Sequence, residues 1–311
     1  MRKAGISLAF AAACVSGVAV FVNAYGVQHA PDPTTYTTAK NLVAAILLVG
    51  VASIAAATRR ASAPRRPTRA SQWVALGAIG VLGGGVAFAL FFEGLAKLSP
   101  LATGDPLRAT QAQFLHKTLV LWVAVLAVVF LHERLTLLTL AAIALLVTGQ
   151  YLLVGDLGHL VLGRGETLIA LATIVWAGET VIARWLLYDL PPLTVATVRM
   201  GVGVVVLLGW LAAQGHLDRL AWDSGWWGWA IATGGILAVY VAVWLAALAR
   251  AQAVDVTAVL TAAVLVTYAL DELAAHPVTP ETGALGLIAV GVTLATLGAL
   301  WPRAHPAESH A

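Results

Sequence analysis

The chain has 311 residues, of which 60% are hydrophobic and only 11% charged, and its formal net charge is +3. A soluble domain carries about 25% charged residues because its surface must face water, so this composition excludes a water-soluble globule. The basic excess does not call for nucleic acid either. Five of the 18 cations crowd into RRASAPRRPTR at 59–69, a pattern that reads as a membrane-topology signal.

Ten apolar stretches of membrane-spanning length follow one another, near 5–27, 37–58, 73–96, 109–131, 135–154, 165–187, 193–213, 226–249, 254–274 and 282–301. Barrel strands alternate apolar and polar residues, whereas runs such as LVAAILLVGVASIAAA need helices to satisfy their own backbone. The expected fold is therefore an all-α integral membrane protein of ten transmembrane helices with no attached soluble domain. The opening MRKAGISLAFAAACVSGVA imitates a secretory signal. Its apolar run continues through VFVNAYGV, so an uncleaved first helix is expected. Cys14 is the single cysteine and excludes an intrachain disulfide.

In chain order, the first span carries Ser16 and Asn23, and the second places Lys40 a few residues inside its outer end. The third holds Gly83, Gly84 and Gly85, which suit close helix packing, and ends near Glu93, a prospective partner of Arg108 or Lys40. On the fourth, Thr110, Gln113 and Lys117 share a face, and His132, Glu133 and Arg134 form the hairpin into the fifth, with a carboxylate suited to a helix start. The sixth aligns Trp176, Glu179 and Thr180, and the seventh places Arg199 as the second places Lys40. The eighth opens on Trp226, Trp227 and Trp229, expected as an interfacial belt, and carries Tyr240 and Trp244 one turn apart. On the ninth, Thr257, Thr261, Tyr268 and Asp271 make one stripe.

Placing the N-terminus inside puts eleven cations on the inner side and four on the outer, which favours both termini in the cytoplasm. The halves also echo each other. TYTTAKNLVAAILLVG (35–50) answers VATVRMGVGVVVLLG (195–209), EGLAKLSPLAT (93–103) answers AALARAQAVDVT (246–257), and LHERLTLLTLAAIALLVTG (131–149) more weakly answers HPVTPETGALGLIAVGV (276–292). The reading is one five-helix repeat over 1–154 and a second over 155–311. Five crossings change sides, so the second copy inserts upside down. Inverted repeats are the recurring design of secondary transporters. In this frame Lys40 and Arg199 are pseudo-equivalent. Each sits close enough to a helix end to snorkel, and the choice between structural anchor or ion pair and substrate contact stays open.

With these motifs in place, the whole chain resembles the drug/metabolite transporter superfamily, in particular EamA-type permeases. AKNLVAAILL and TVRMGVGVVVLL match the cation-bearing second span of each repeat, and FEGLAKLSPLAT resembles the end of the third. FLHERLTLLTLAAIALLVTG resembles the Gly-Glu-Arg hairpin and closing span, with His132 where glycine is usual; the second repeat has His276 and Pro277 in place of Glu-Arg. The resemblance implies ten helices, cytoplasmic termini, and a central cavity lined by the first, third, fourth, sixth, eighth and ninth spans. It also implies transport of small metabolites, often outward, without naming the solute.

Polar side chains inside a bilayer normally face protein or a water-filled cavity. The substrate-cavity candidates are Asn23, Glu93, Gln113, Lys117, Trp176, Glu179, Tyr240, Trp244, Thr261 and Tyr268. Lys117 is suited to a solute carboxylate. Glu179 is suited either to a structural hydrogen bond or to proton exchange, in which case Glu179→Gln should abolish pH-driven uptake and spare solute exchange. No P-loop is present, so the chain does not itself bind ATP in that way. Neither H-E-x-x-H nor G-x-S-x-G occurs, and His116 is the one histidine expected inside a span, so no catalytic residue, cofactor or metal is assigned.

The expected function is a secondary permease, of the alternating-access exporter kind, for a small amino-acid-like or drug-like metabolite in the cytoplasmic (inner) membrane. Partners are the solute, the lipid bilayer and protons as a candidate coupling ion, with no nucleic acid; a monomer is compatible and the oligomeric state is not specified. The alternatives are an intramembrane enzyme and an uptake permease or facilitator.

Overall fold

Long runs of alanine, leucine and valine leave the backbone to satisfy its own hydrogen bonds, and helices result wherever the chain is described. The computed structural model describes residues 2–58, 67–98, 115–154, 163–274 and 282–301, and every regular element among them is helical. In order these are α1 (Arg2–His29), α2 (Pro33–Thr58), α3 (Ala70–Ala78), a π-helical stretch (Ile79–Val86), α4 (Ala87–Leu98), α5 (Leu119–Leu131), α6 (Leu137–Val154), α7 (Arg164–Leu186) and α8 (Pro192–Ala213). A 3₁₀ turn (Leu217–Leu220) leads to α9 (Ser224–Leu248), α10 (Ala253–Leu260), α11 (Ala263–Leu273) and α12 (Thr282–Leu300).

Eight of the helical segments are long and apolar enough to cross a membrane: 2–29, 33–58, 70–94, 164–186, 192–213, 224–248, 253–270 and 283–300. Two shorter apolar helices, Leu115–Leu131 and Leu137–Leu153, lie between the third and fourth of them. These match the apolar stretches read from the sequence to within a few residues, except that the start of the fourth lies outside the described residues.

Local chemistry sets the helix ends. The Asp32 carboxylate accepts from the Thr35 amide at 2.8 Å and its hydroxyl at 2.6 Å, capping α2, whose first residue is Pro33. Asp223 caps α9 by accepting from Gly225 N–H at 2.8 Å. α5 stops at His132, which adopts the left-handed conformation (φ 53°, ψ 32°), with the Glu133 amide closing back onto the Ala127 carbonyl. That is the position where glycine was expected by resemblance, and its conformation is the one glycine adopts most readily.

The helices pack in a defined set of pairs: α6 with α12, α1 with α9, α4 with α7, the π stretch with α8, α2 with both α8 and α9, α1 with α10 and α11, and α5 with α7. Small residues permit this. Gly84 in the π stretch lies so close to Gly203 on α8 that a Cβ on either would strike the other's backbone. Gly234 on α9 seats against the Lys40 carbonyl and Val43 of α2. Gly149 on α6 meets Ile288 and the Ala284 carbonyl of α12, while Gly291 on α12 meets Leu146 and the Ala142 carbonyl of α6. The expectation that glycines serve helix packing is therefore realised.

Several expectations change in the packed structure. Trp226 is buried against Tyr36, Ala39 and Ala230 and is not part of an interfacial belt; Trp222, 70% exposed, stacks on Trp227 instead. The stripe on the ninth span is broken by a turn at Thr261 and Ala262, which separates α10 from α11. Lys40 and Arg199 do not snorkel, being 7% and 5% exposed. Both lie on helix faces that pack against other helices, which closes the path to the interface.

Candidate functional site

Four clusters of polar groups stand out among the described residues of the helix bundle. The most buried is an ion pair between neighbouring helices: two N–H groups on one edge of the Arg199 guanidinium, on α8, donate to Glu179 on α7. Arg199 Nε donates to Oε1 and Nη2 to Oε2, the latter at 3.1 Å. Arg199 Nη2 also points at the Gly83 carbonyl at 3.4 Å, and Trp176 Nε1 donates to the same carbonyl at 3.1 Å. Gly83 lies directly against the Glu179 carboxylate, where a side chain would collide with it. The π stretch thus brings a carbonyl and a gap to the charged pair, the kind of site at which π-helical turns recur. Phe88 and Trp244 lie 5.9 Å and 5.7 Å from the Arg199 guanidinium, adding cation–π attraction.

An aromatic wall continues from this pair. Trp176 meets Phe88, Phe91 and His116 with ring centroids 5.3, 5.4 and 5.1 Å apart, and Tyr240 stacks over Trp244 at 6.3 Å. Beside it lies a cavity of about 80 Å³ between α1, the turn at 115–120, α9 and α10, lined by Ser16, His116, Lys117, Tyr240, Thr257 and Thr261 among others. The Thr257 and Thr261 hydroxyls donate to carbonyls of their own helix, Ala253 at 2.8 Å and Thr257 at 3.4 Å.

The third cluster is Lys40, whose Nζ donates to Asn23 Oδ1 at 3.1 Å and sits 5.2 Å from the Phe92 ring. The fourth is Glu93, which accepts from Gln214 Nε2 at 3.2 Å and stands 3.9 Å from Lys97.

Of the ten candidate residues, the structure places Lys117, Tyr240 and Thr261 on the cavity, and Trp176, Glu179 and Trp244 in the adjoining ion-pair and aromatic cluster. Asn23 serves Lys40, and Glu93 serves Lys97 and Gln214, so the expected pairing of Glu93 with Lys40 does not form. Tyr268 is half-buried on α11, packed against the core beyond the break. Gln113, Thr110 and Arg108 lie outside the described residues. Sequence reasoning missed that Arg199 is the partner of Glu179, and passed over as site residues both Thr257, which helical spacing had marked, and His116, noted only as the one histidine inside a span.

The two ends of the bundle are tied separately. At one end Arg2 pairs with Asp255 at 3.1 Å and points at the Gly298 and Trp301 carbonyls, each at 3.4 Å. There the Glu133 carboxylate accepts from the Ala253 and Val254 amides at 2.8 and 3.2 Å. The carboxylate was expected to serve its own hairpin; it instead caps α10. Burial pushes the Glu133 carboxyl up, outweighing these two N–H donors. At the other end Arg219 pairs with Asp32 at 3.1 Å. Burial of Asp32 acts upward, but the Thr35 hydrogen bonds and the Arg219 guanidinium prevail and hold its carboxyl below the ordinary 3.8.

Serial apolar helices around buried charge define a multi-pass helical membrane protein. The EamA-like transporter family matches residues 3–155 and again 163–297. The chain belongs to that family, and to the transporter class it represents. A solved structure titled only as a crystal structure of a protein is similar over 96% of this chain and 98% of its own, with a TM-score of 0.71 at 20% identity; that likeness concerns the fold. No curated protein sequence gives a significant match.

Proposed function

We propose that this protein is a secondary carrier in which two five-span repeats, 1–154 and 155–311, stand in opposite senses in the cytoplasmic membrane and expose a shared cavity to each side in turn. Ten spans follow if the helices at 115–131 and 137–153 cross as well. The observation that carries the reading is the glycine seating of α6 and α12. Gly149 meets Ala284 and Ile288, and Gly291 meets Ala142 and Leu146, so a constant step of 142 residues exchanges the two partners across antiparallel helices.

Other pairs agree. With α1, α2, α4, α5 and α6 matched to α7, α8, α9, α10 and α12, the α1–α9 contact exchanges with α4–α7. In the same way the contact of the π stretch with α8 exchanges with α2–α9. Gly84 seats on the Arg199 carbonyl as Gly234 seats on that of Lys40. Equivalent halves of opposite sense can trade shapes about a central site. The charge bias favours both termini in the cytoplasm, and the solute is a small metabolite, moved outward by family tendency.

The test is two-sided access. In a Cys14→Ser background, Ser16→Cys should react with a membrane-impermeant maleimide applied to either face of sealed vesicles. Joining the outer end through a disulfide between Asp32→Cys and Arg219→Cys, formed before labelling, should stop reaction from outside and spare it from inside. Reaction from one face only in the unlocked protein, or from both faces in the locked one, overturns the reading.

A further inference from the structure

We propose that the cavity beside Lys117 binds a small carboxylate anion, and that this is the class of solute moved; the assignment of the solute rests on the carrier reading above. Lys117 lines the cavity, and the ion pairs among the described residues are Arg2–Asp255, Lys97–Glu93, Arg199–Glu179 and Arg219–Asp32. Glu179, the acid of the adjoining cluster, has both oxygens engaged by Arg199. Charge in that cluster therefore cancels, and the cavity keeps the ammonium of Lys117 without a described carboxylate to balance it.

A second observation points to a ligand independently. His116 also lines this cavity, and its buried Nδ1 has no hydrogen-bond partner, a state that costs free energy until something occupies the site. Hydroxyls of Ser16, Tyr240, Thr257 and Thr261 complete the polar wall.

This set of groups selects among solutes: the Lys117 ammonium donates, while Thr257 and Thr261, whose protons go to their own helix, offer lone pairs to a solute hydroxyl. An ammonium in a low-dielectric interior pairs best with a compact anion, and charge-assisted hydrogen bonds to carboxylate are about twice as strong as neutral ones. A zwitterion needs an acidic subsite for its amine, and Glu179, the acid of the adjoining cluster among the described residues, is already paired. An organic cation meets like charge. The volume of about 80 Å³ is far below the roughly 300–1,000 Å³ of sites for drug-sized ligands. A monocarboxylate of a few heavy atoms bearing a hydroxyl, which the imidazole and hydroxyl wall can meet, fits all these terms.

The experiment is isothermal titration of the full detergent-purified chain with sodium L-lactate, L-alanine and tetraethylammonium chloride as probes. L-lactate should bind, and the other two should bind at least about tenfold more weakly. Lys117→Gln should weaken L-lactate binding by about tenfold or more, Lys117→Arg should retain most of it, and Thr261→Val should weaken it several-fold. Equal binding of L-alanine, no binding of L-lactate, or L-lactate binding unchanged in both Lys117→Gln and Thr261→Val overturns the proposal. Should Lys117→Gln fail to fold, Thr261→Val and the ligand comparison still decide. L-lactate binding without two-sided labelling of Ser16→Cys would leave the anion site standing and remove the carrier; two-sided labelling without L-lactate binding would do the reverse.

Discussion

Arg199 grips both carboxylate oxygens of Glu179 from the next helix, twenty residues away in the chain, with the side chains 6% and 1% exposed. Removing one member leaves the other as an uncompensated buried charge, which costs about 3–5 kcal/mol. Glu179→Ala and Arg199→Met should each lower stability by about that amount in denaturant titrations. The double variant Glu179→Leu with Arg199→Met should be less destabilised than either single one, because no lone charge is left. A double variant as unstable as the sum of the singles would show that the pair is not the coupled unit described.

The helix seats make a sharper contrast. A methyl group at Gly84 would meet the Arg199 carbonyl and Gly203 Cα, whereas none of the neighbours of Gly178 on α7 comes within reach of one. Gly84→Ala should cost about 1–3 kcal/mol by overpacking. Gly178→Ala should add about 0.5–1 kcal/mol by removing a flexible residue from a helix interior. Thermal unfolding of the two variants beside the parent decides between opposite signs.

His132 is exposed and holds a left-handed conformation at the end of α5. That conformation costs a residue with a Cβ about 1–2 kcal/mol, and the exposed imidazole leaves little packing to lose. His132→Gly should therefore raise the unfolding temperature, while His132→Val, β-branched and poorly suited to positive φ, should lower it.

Two carboxylates at opposite ends should give stability opposite pH slopes. Asp32 titrates below its ordinary 3.8 in the folded protein, so its contribution is present above that value and is lost as pH falls through the folded pKa. Glu133 titrates above its ordinary 4.5. The folded state then binds the proton more tightly than the unfolded one, and the contribution is full below 4.5 and lost as pH rises through the folded pKa. In unfolding temperature measured against pH, Asp32→Asn should flatten the acid-side loss, and Glu133→Gln should remove the decline above 4.5.

Much of this protein was written locally in its sequence. Composition alone excluded water as its surroundings. Uninterrupted apolar runs marked the spans to within a few residues, because a helix in hydrocarbon is a local solution in which each backbone group finds its partner four residues away. Spacing along a helix likewise put Lys117 on the polar face of its span and Tyr240 and Trp244 one turn apart, since side chains three and four residues apart share a face.

Which face meets which neighbour is not local, and there the tertiary structure decided. Lys40 and Arg199 occupy matching places in matching runs, yet one donates to Asn23 and the other to Glu179. Glu133, adjacent to its own hairpin, caps a helix that begins 120 residues later. Trp226 looked like a belt residue and is core. In each case a buried polar or aromatic group must find its complement among helices brought close by glycine seats. That choice depends on interhelical rotation and depth, which no periodicity within a single helix encodes.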